Sequence, residues 1–137
     1  MQEIDVRARS SASPETIFAL LADATTWTRW APFDGATVEA GDSVGELRRF
    51  QRGRRTTRER VTALEPPRRL EYELVSGIPI RDYRAQVTLT PEGDGTEIRW
   101  QSRFNPKVPG TGGLARRGLQ RFIQQTADGL AREAEKS

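Results

Sequence analysis

Glu59 and Tyr83 are the residues of this chain best suited to move a proton, because the more usual groups are missing. The 137 residues include no histidine and no cysteine, which excludes imidazole acid–base chemistry, thiolate nucleophiles and disulfides. What remains is carboxylate and phenol. Glu59 can accept a proton and Tyr83 can donate one, although a phenol with its ordinary pKa near ~10 needs tuning for work at neutral pH. Tyr72 offers the same chemistry as Tyr83, an apolar ring with a hydroxyl that donates or accepts. Arg48 completes the set. Strand alternation from Val61 places Glu59 on the face that carries Tyr72 and Tyr83, and places Arg48 inward beside Phe50 on a neighbouring strand. A buried guanidinium and carboxylate must pair, since an uncompensated buried charge costs several kcal/mol. An Arg48–Glu59 pair would either orient a polar group of a ligand, or polarise a carbonyl, or serve only as an ion pair within the sheet.

The aromatic residues suggest what surrounds these groups. Trp27, Trp30, Phe33, Phe50, Trp100, Phe104 and Phe122 could fill a core or wall a cavity for a ring-shaped molecule. The ligand-binding set expected from types and parity is Trp30, Arg48, Phe50, Glu59, Tyr72, Tyr83, Trp100 and Phe122, with Glu59 and Tyr83 as the catalytic candidates if chemistry occurs. Acidic residues are scattered without metal-ligand spacing, so no metal and no cofactor is expected. Gly110-Thr111-Gly112-Gly113 lacks the Gly-Lys-Ser/Thr ending of a phosphate loop and reads more economically as a hinge.

The elements that must position these side chains follow from periodicity. Ile4, Val6 and Ala8 alternate with charged residues as a half-buried strand. Ser13-Pro14-Glu15 supplies an N-cap, a first-turn proline and a first-turn acid for a short helix carrying Ile17, Phe18, Leu20 and Leu21. Asp23 can cap a second short helix through Trp27 and Trp30, stopped by Pro32. From Ala36 to Phe104, alternating runs are separated by Gly41-Asp42, Gly53, Pro66-Pro67, Gly77-Ile78-Pro79 and Gly93-Asp94-Gly95, the pattern of an antiparallel meander with one covered face. Leu114, Leu119, Phe122, Ile123, Thr126, Leu130 and Ala134 recur at threes and fours, giving a final helix of about 20 residues, ~30 Å long, able to cover that face. The fold class is therefore α+β, with a curved sheet of about seven strands around a long C-terminal helix, in one domain spanning 1–137.

At residue level the chain resembles the START-like, or Bet v 1-like, superfamily and its SRPBCC branch of polyketide cyclases/dehydrases and lipid-transport proteins. The resemblance rests on Ser13-Pro14-Glu15-Thr16-Ile17-Phe18, Trp27-Thr28-Arg29-Trp30-Ala31-Pro32, Gly45-Glu46-Leu47-Arg48, Arg58-Glu59-Arg60-Val61, Pro66-Pro67-Arg68-Arg69-Leu70-Glu71-Tyr72, Arg81-Asp82-Tyr83, Thr96-Glu97-Ile98-Arg99-Trp100 and Phe104-Asn105-Pro106. It implies a helix-grip fold with a cavity between sheet and long helix. Members bind lipids, sterols, hormones or aromatic polyketides, and some catalyse cyclisation or dehydration, so fold does not choose among them. The interior histidine of many aromatase/cyclases is absent here.

Charge adds little about partners. The formal net charge is +3, and the run Arg48, Arg49, Arg52, Arg54, Arg55, Arg58 and Arg60 is divided between two faces by strand alternation, against a nucleic-acid interface. No run has the ~18 to 20 apolar residues of a membrane span, so the expected setting is the cytosol, without integral membrane association. A weak homodimer is left open. The functional expectation is binding or transport of a hydrophobic small molecule, lipid-like or aromatic. The alternatives are a cyclase or dehydratase in which Tyr83 donates and Glu59 accepts a proton, and an interaction module of the same fold.

Overall fold

In a computed structural model describing residues 1–136, strand β1 (Gln2–Ser10) leads into helix α1 (Pro14–Ala22). The Ser13 hydroxyl accepts the Thr16 N–H at 3.2 Å, satisfying one of the donors that every helix start leaves free. Asp23 ends α1 and starts the next element by accepting the Thr25 N–H at 3.0 Å. That element is a 3-10 helix, Ala24–Arg29, rather than a second α-helix reaching Trp30. The Thr26 hydroxyl donates to the Leu20 carbonyl at 2.7 Å and the Trp27 indole to the Leu21 carbonyl at 3.2 Å. These bonds fold the segment back onto α1 and tighten it, leaving Trp30 as its cap.

Strands β2 (Gly35–Ala40), β3 (Leu47–Arg52), β4 (Arg55–Glu65), β5 (Arg69–Ser76), β6 (Ile80–Glu92) and β7 (Gly95–Pro106) form the meander. One seven-stranded antiparallel sheet results, in the order β1-β7-β6-β5-β4-β3-β2, with β1 closing against β7. Alternation selects the inner face: Phe50 on β3, Val61 on β4, Leu70 and Tyr72 on β5, Ala85 and Val87 on β6, and Ile98 and Trp100 on β7 are all buried. Strict alternation cannot bring both Ile80 and Tyr83 inward, yet both are buried. A bulge between Arg81 and Arg84 resolves this, with Asp82 at φ 55 and its carboxylate accepting from the Asn105 side chain at 3.2 Å.

Helix α2 (Gly112–Glu135) crosses the inner face with its apolar stripe down, so the architecture is the helix-grip fold. Its 24 residues exceed the expected length because the helix continues to the glycines at its start. The C-terminal half is sealed, with Ala127, Leu130, Ala131 and Ala134 buried and the Ser10 hydroxyl donating to the Ala131 carbonyl at 2.9 Å. Among the described residues no helix is long and apolar enough to cross a membrane.

Candidate functional site: an apolar cavity with an acid on its floor

The N-terminal half of α2 does not close onto the sheet. Beneath Leu119, Phe122, Ile123 and Thr126 lies a cavity of about 530 Å³, large enough for a drug-sized molecule. Trp27, Tyr72, Tyr83 and Trp100 form its inner wall; Ile78, Val108 and Leu114 stand toward its mouth. The wall is mostly apolar, and of its polar groups Glu59, Tyr72 and Tyr83 lie together at the inner end.

Trp27 is the centre of the aromatic packing, with ring centroids 4.6 Å from Trp30, 5.0 Å from Phe50, 6.0 Å from Trp100 and 6.4 Å from Tyr72. The Trp100 indole donates to the Tyr72 hydroxyl at 3.1 Å, which fixes that phenol against the wall. Tyr83 lies beside it, with ring centroids 6.3 Å apart. Ser102, on the same inner face, has a hydroxyl sealed from solvent with no hydrogen-bond partner among the described residues.

Glu59 is the one acid of the lining, and it forms no ion pair and no hydrogen bond among the described residues. Burial pushes its carboxyl from the usual 4.5 up to about 8, against the pull of the Arg48 guanidinium. The part of its surface left open faces the cavity. At neutral pH this carboxyl therefore holds its proton in most molecules and can donate as well as accept. Burial also pushes both phenols above their usual value, Tyr72 further through Tyr83 and Glu59, and Tyr83 further through Glu59. They are hydrogen-bond donors here, not acids at neutral pH.

The expected Arg48–Glu59 ion pair does not form. The two residues share the inner face, as alternation implies, and are register partners across β3 and β4, but the guanidinium turns away. Its Nε donates to Glu46 at 2.6 Å, and its two terminal nitrogens donate to the Leu21 and Ala22 carbonyls at 3.0 and 2.7 Å. Those carbonyls belong to the last turn of α1, which has no intrahelical donors for them and carries the negative end of the helix dipole. Three acceptors in a buried position outbid one carboxylate, so Arg48 ties α1 to the sheet and leaves Glu59 alone. Arg48 is thus outside the cavity lining.

Trp30 and Phe50 also lie outside it, packed behind Trp27. Glu59, Tyr72, Tyr83, Trp100 and Phe122 do line the cavity, brought together from β4, β5, β6, β7 and α2. Trp27 and Phe33 line it too, from the aromatic set rather than the expected site. Residue typing passed over Arg52, Arg55 and Thr57, although parity points to them: the alternation that turns Phe50 inward also turns Arg52, and Glu59 brings Thr57 and Arg55. The arginine run is divided accordingly, with Arg49 and Arg58 paired on the other face and Arg58 bonded to Glu39 at 2.7 Å.

The sequence pattern of the polyketide cyclase / dehydrase and lipid transport family matches residues 1–135. The chain belongs to that family. Its fold is shared by a START superfamily protein from Mycobacterium smegmatis, 18% identical, with TM-score 0.84 over 97% of that chain and 98% of this one. XoxI from Bacillus cereus is 16% identical with TM-score 0.85, covering 97% of this chain and 95% of its own. The Aha1 dimer from Colwellia psychrerythraea is 18% identical with TM-score 0.72, covering 96% and 97%. At these identities the likeness is one of fold. No curated protein matches the sequence. Family and fold together make this a hydrophobic-ligand-binding type of domain, built on a START-like scaffold.

Proposed function

We propose that this START-like chain binds or transports a hydrophobic small molecule, lipid-like or aromatic polyketide-like, inside the cavity under the first half of α2. The observation that carries this reading is the combination of an apolar lining with one unpaired acid, Glu59, at the inner end. Burial of ligand surface at ~25 cal/mol per Å² supplies the affinity. Protonated Glu59 and the Tyr83 hydroxyl select a ligand with one neutral polar group at its buried end. A ligand without such a group leaves both unsatisfied, at about 1–3 kcal/mol each. Purification from the native host followed by native mass spectrometry, with thermal melts against aliphatic and aromatic ligands, tests the reading. A co-purified small molecule or a ligand-dependent rise in Tm is expected. No bound mass and no Tm shift with any ligand would remove it.

A cyclase or dehydratase has one observation in its favour, since a carboxyl near 8 is poised to give and take protons around neutral pH. Tyr83 does not suit the acid role in that scheme, because its phenol is raised well above neutrality. Glu59 would have to carry the proton itself. Glu59→Gln discriminates the two: a binder keeps its ligand, whereas an enzyme loses turnover of a polyketide-like substrate while still binding it. Weak self-association belongs to the same proposal; a single monomeric species in sedimentation velocity at high protein concentration removes it.

A further inference from the structure

We infer that the ligand is an amphiphile whose oxyanion group sits at the cavity mouth between Arg52 and Arg55, while its apolar body runs inward to Glu59; this rests on the binding function proposed above. Arg52 and Arg55 are directly opposite each other where β3 turns into β4, and both line the cavity. Like charges facing across an antiparallel pair destabilise a sheet unless something lies between them. No carboxylate among the described residues does so. Among the described residues neither arginine forms an ion pair, whereas Arg58, Arg69 and Arg99 on other rows each pair with a carboxylate. Glu59, the only acid of the lining, is four residues further along β4, about 13 Å at ~3.3 Å per residue.

The two guanidinium groups are also held in place. Arg52 lies over the Phe122 ring, 5.2 Å from its centroid, which ties the β3–β4 hairpin to α2. Arg55 donates through one terminal nitrogen to the Gly77 carbonyl at 2.6 Å, leaving its other donors free. Gly77 can approach because it is glycine: at φ 113, a Cβ there would meet the Thr56 carbonyl oxygen at 2.3 Å. The first turn of α2 adds to the same field, with Thr111 at the mouth, no acidic residue and no side-chain cap. The mouth is positive on three sides and the inner end carries a protonated acid, so a carboxylate, sulfonate or phosphate fits outside and a neutral polar group fits inside.

Two fluorescent probes with the same N-phenylnaphthylamine body separate this inference from the binding function. 1-Anilinonaphthalene-8-sulfonate carries an anion and N-phenyl-1-naphthylamine does not. The sulfonate is expected to bind about tenfold more tightly, the ratio that one charge-assisted hydrogen bond of ordinary strength supplies. Arg52→Gln with Arg55→Gln should remove that preference and leave the neutral probe within about twofold, which also reports an intact cavity. Arg116→Gln with Arg117→Gln, at half-buried and exposed α2 positions outside the lining, should change neither probe. Dodecanoate should displace the sulfonate probe, and inorganic phosphate at equal concentration should not. Equal affinity of the two probes, equal losses of both in the Arg52/Arg55 variant, sensitivity to the Arg116/Arg117 variant, or displacement by phosphate each overturns the inference while leaving the cavity a binding site. Failure of both probes to bind the unaltered protein overturns the inference and counts against the binding function.

Discussion

The two halves of α2 have one apolar stripe and opposite outcomes. Beyond Thr126 the stripe is made of small residues and one leucine, and no residue there lines the cavity. Gly129 marks the limit of approach, since a Cβ on it would sit 1.9 Å from the Trp30 carbonyl oxygen. Before Thr126 the stripe carries Leu114, Leu119 and Phe122, which face space, and Leu114 is 75% exposed. Small residues let a helix sink onto its sheet; larger ones, over a face already filled by tryptophan and tyrosine, hold it away. A START-like cavity is thus a consequence of where along one helix the side chains change size.

Truncation should read this difference most strongly. Leu130 is fully buried in the sealed half, so Leu130→Ala removes a packed side chain and should cost about 2–5 kcal/mol in denaturant unfolding. Leu119 borders existing space, so Leu119→Ala should cost about 1 kcal/mol, the transfer contribution of a half-buried group without a new void. Equal losses at the two positions would mean that the cavity collapses or that the first half is packed in solution.

The glycines sharpen the comparison with changes of opposite sign. Gly129→Ala should destabilise by about 1–3 kcal/mol, because the obstructing atom is a backbone oxygen and the helix must lift to clear it. That exceeds the gain of up to about 1 kcal/mol from replacing glycine in a helix. Gly118 lines the cavity and has nothing within 4 Å of a built Cβ, so at Gly118→Ala the propensity gain stands alone and stability should rise by up to about 1 kcal/mol. A loss at Gly118 would place a neighbour where the structure has open space.

Parity and helical period were enough to read the sheet faces, the order of elements and the stripe of α2, because both are set by local backbone geometry. They also put Arg48 and Glu59 on the inner face of neighbouring strands, where the structure makes them register partners. What they could not supply was the destination of a long side chain. The choice of Arg48 between Glu59 and the carbonyls of α1 depends on how α1 docks, 26 and 27 residues away in sequence. The bulge at Asp82 was equally hidden, since a positive φ at an ordinary residue breaks the alternation that makes strands readable. Trp27 and Trp30, three residues apart, were not separable by type; the 3-10 winding, set by hydrogen bonds back to α1, decides which ring reaches the cavity.

The remaining expected effect concerns the cavity's acid and is read as a slope with pH. The folded-state carboxyl of Glu59 titrates at about 8 and the unfolded one at its ordinary 4.5, so between those values the folded protein holds a proton that the unfolded chain has released. Stability then falls as pH rises through the window, by no more than about 1.4 kcal/mol per pH unit, and is flat with respect to this group above and below it. Water reaching the carboxyl through the cavity mouth lowers that slope further. Glu59→Gln keeps a neutral group of the same shape, so the variant should gain on the unaltered protein progressively between pH 5 and 8 and hold a constant advantage beyond. The sealed half of α2 gives no such signature, so Leu130→Ala should lower stability equally at every pH. A Glu59→Gln variant that is instead less stable above pH 8 would mean that the ionised carboxylate has a partner in the protein, and the acid would no longer be available to a ligand.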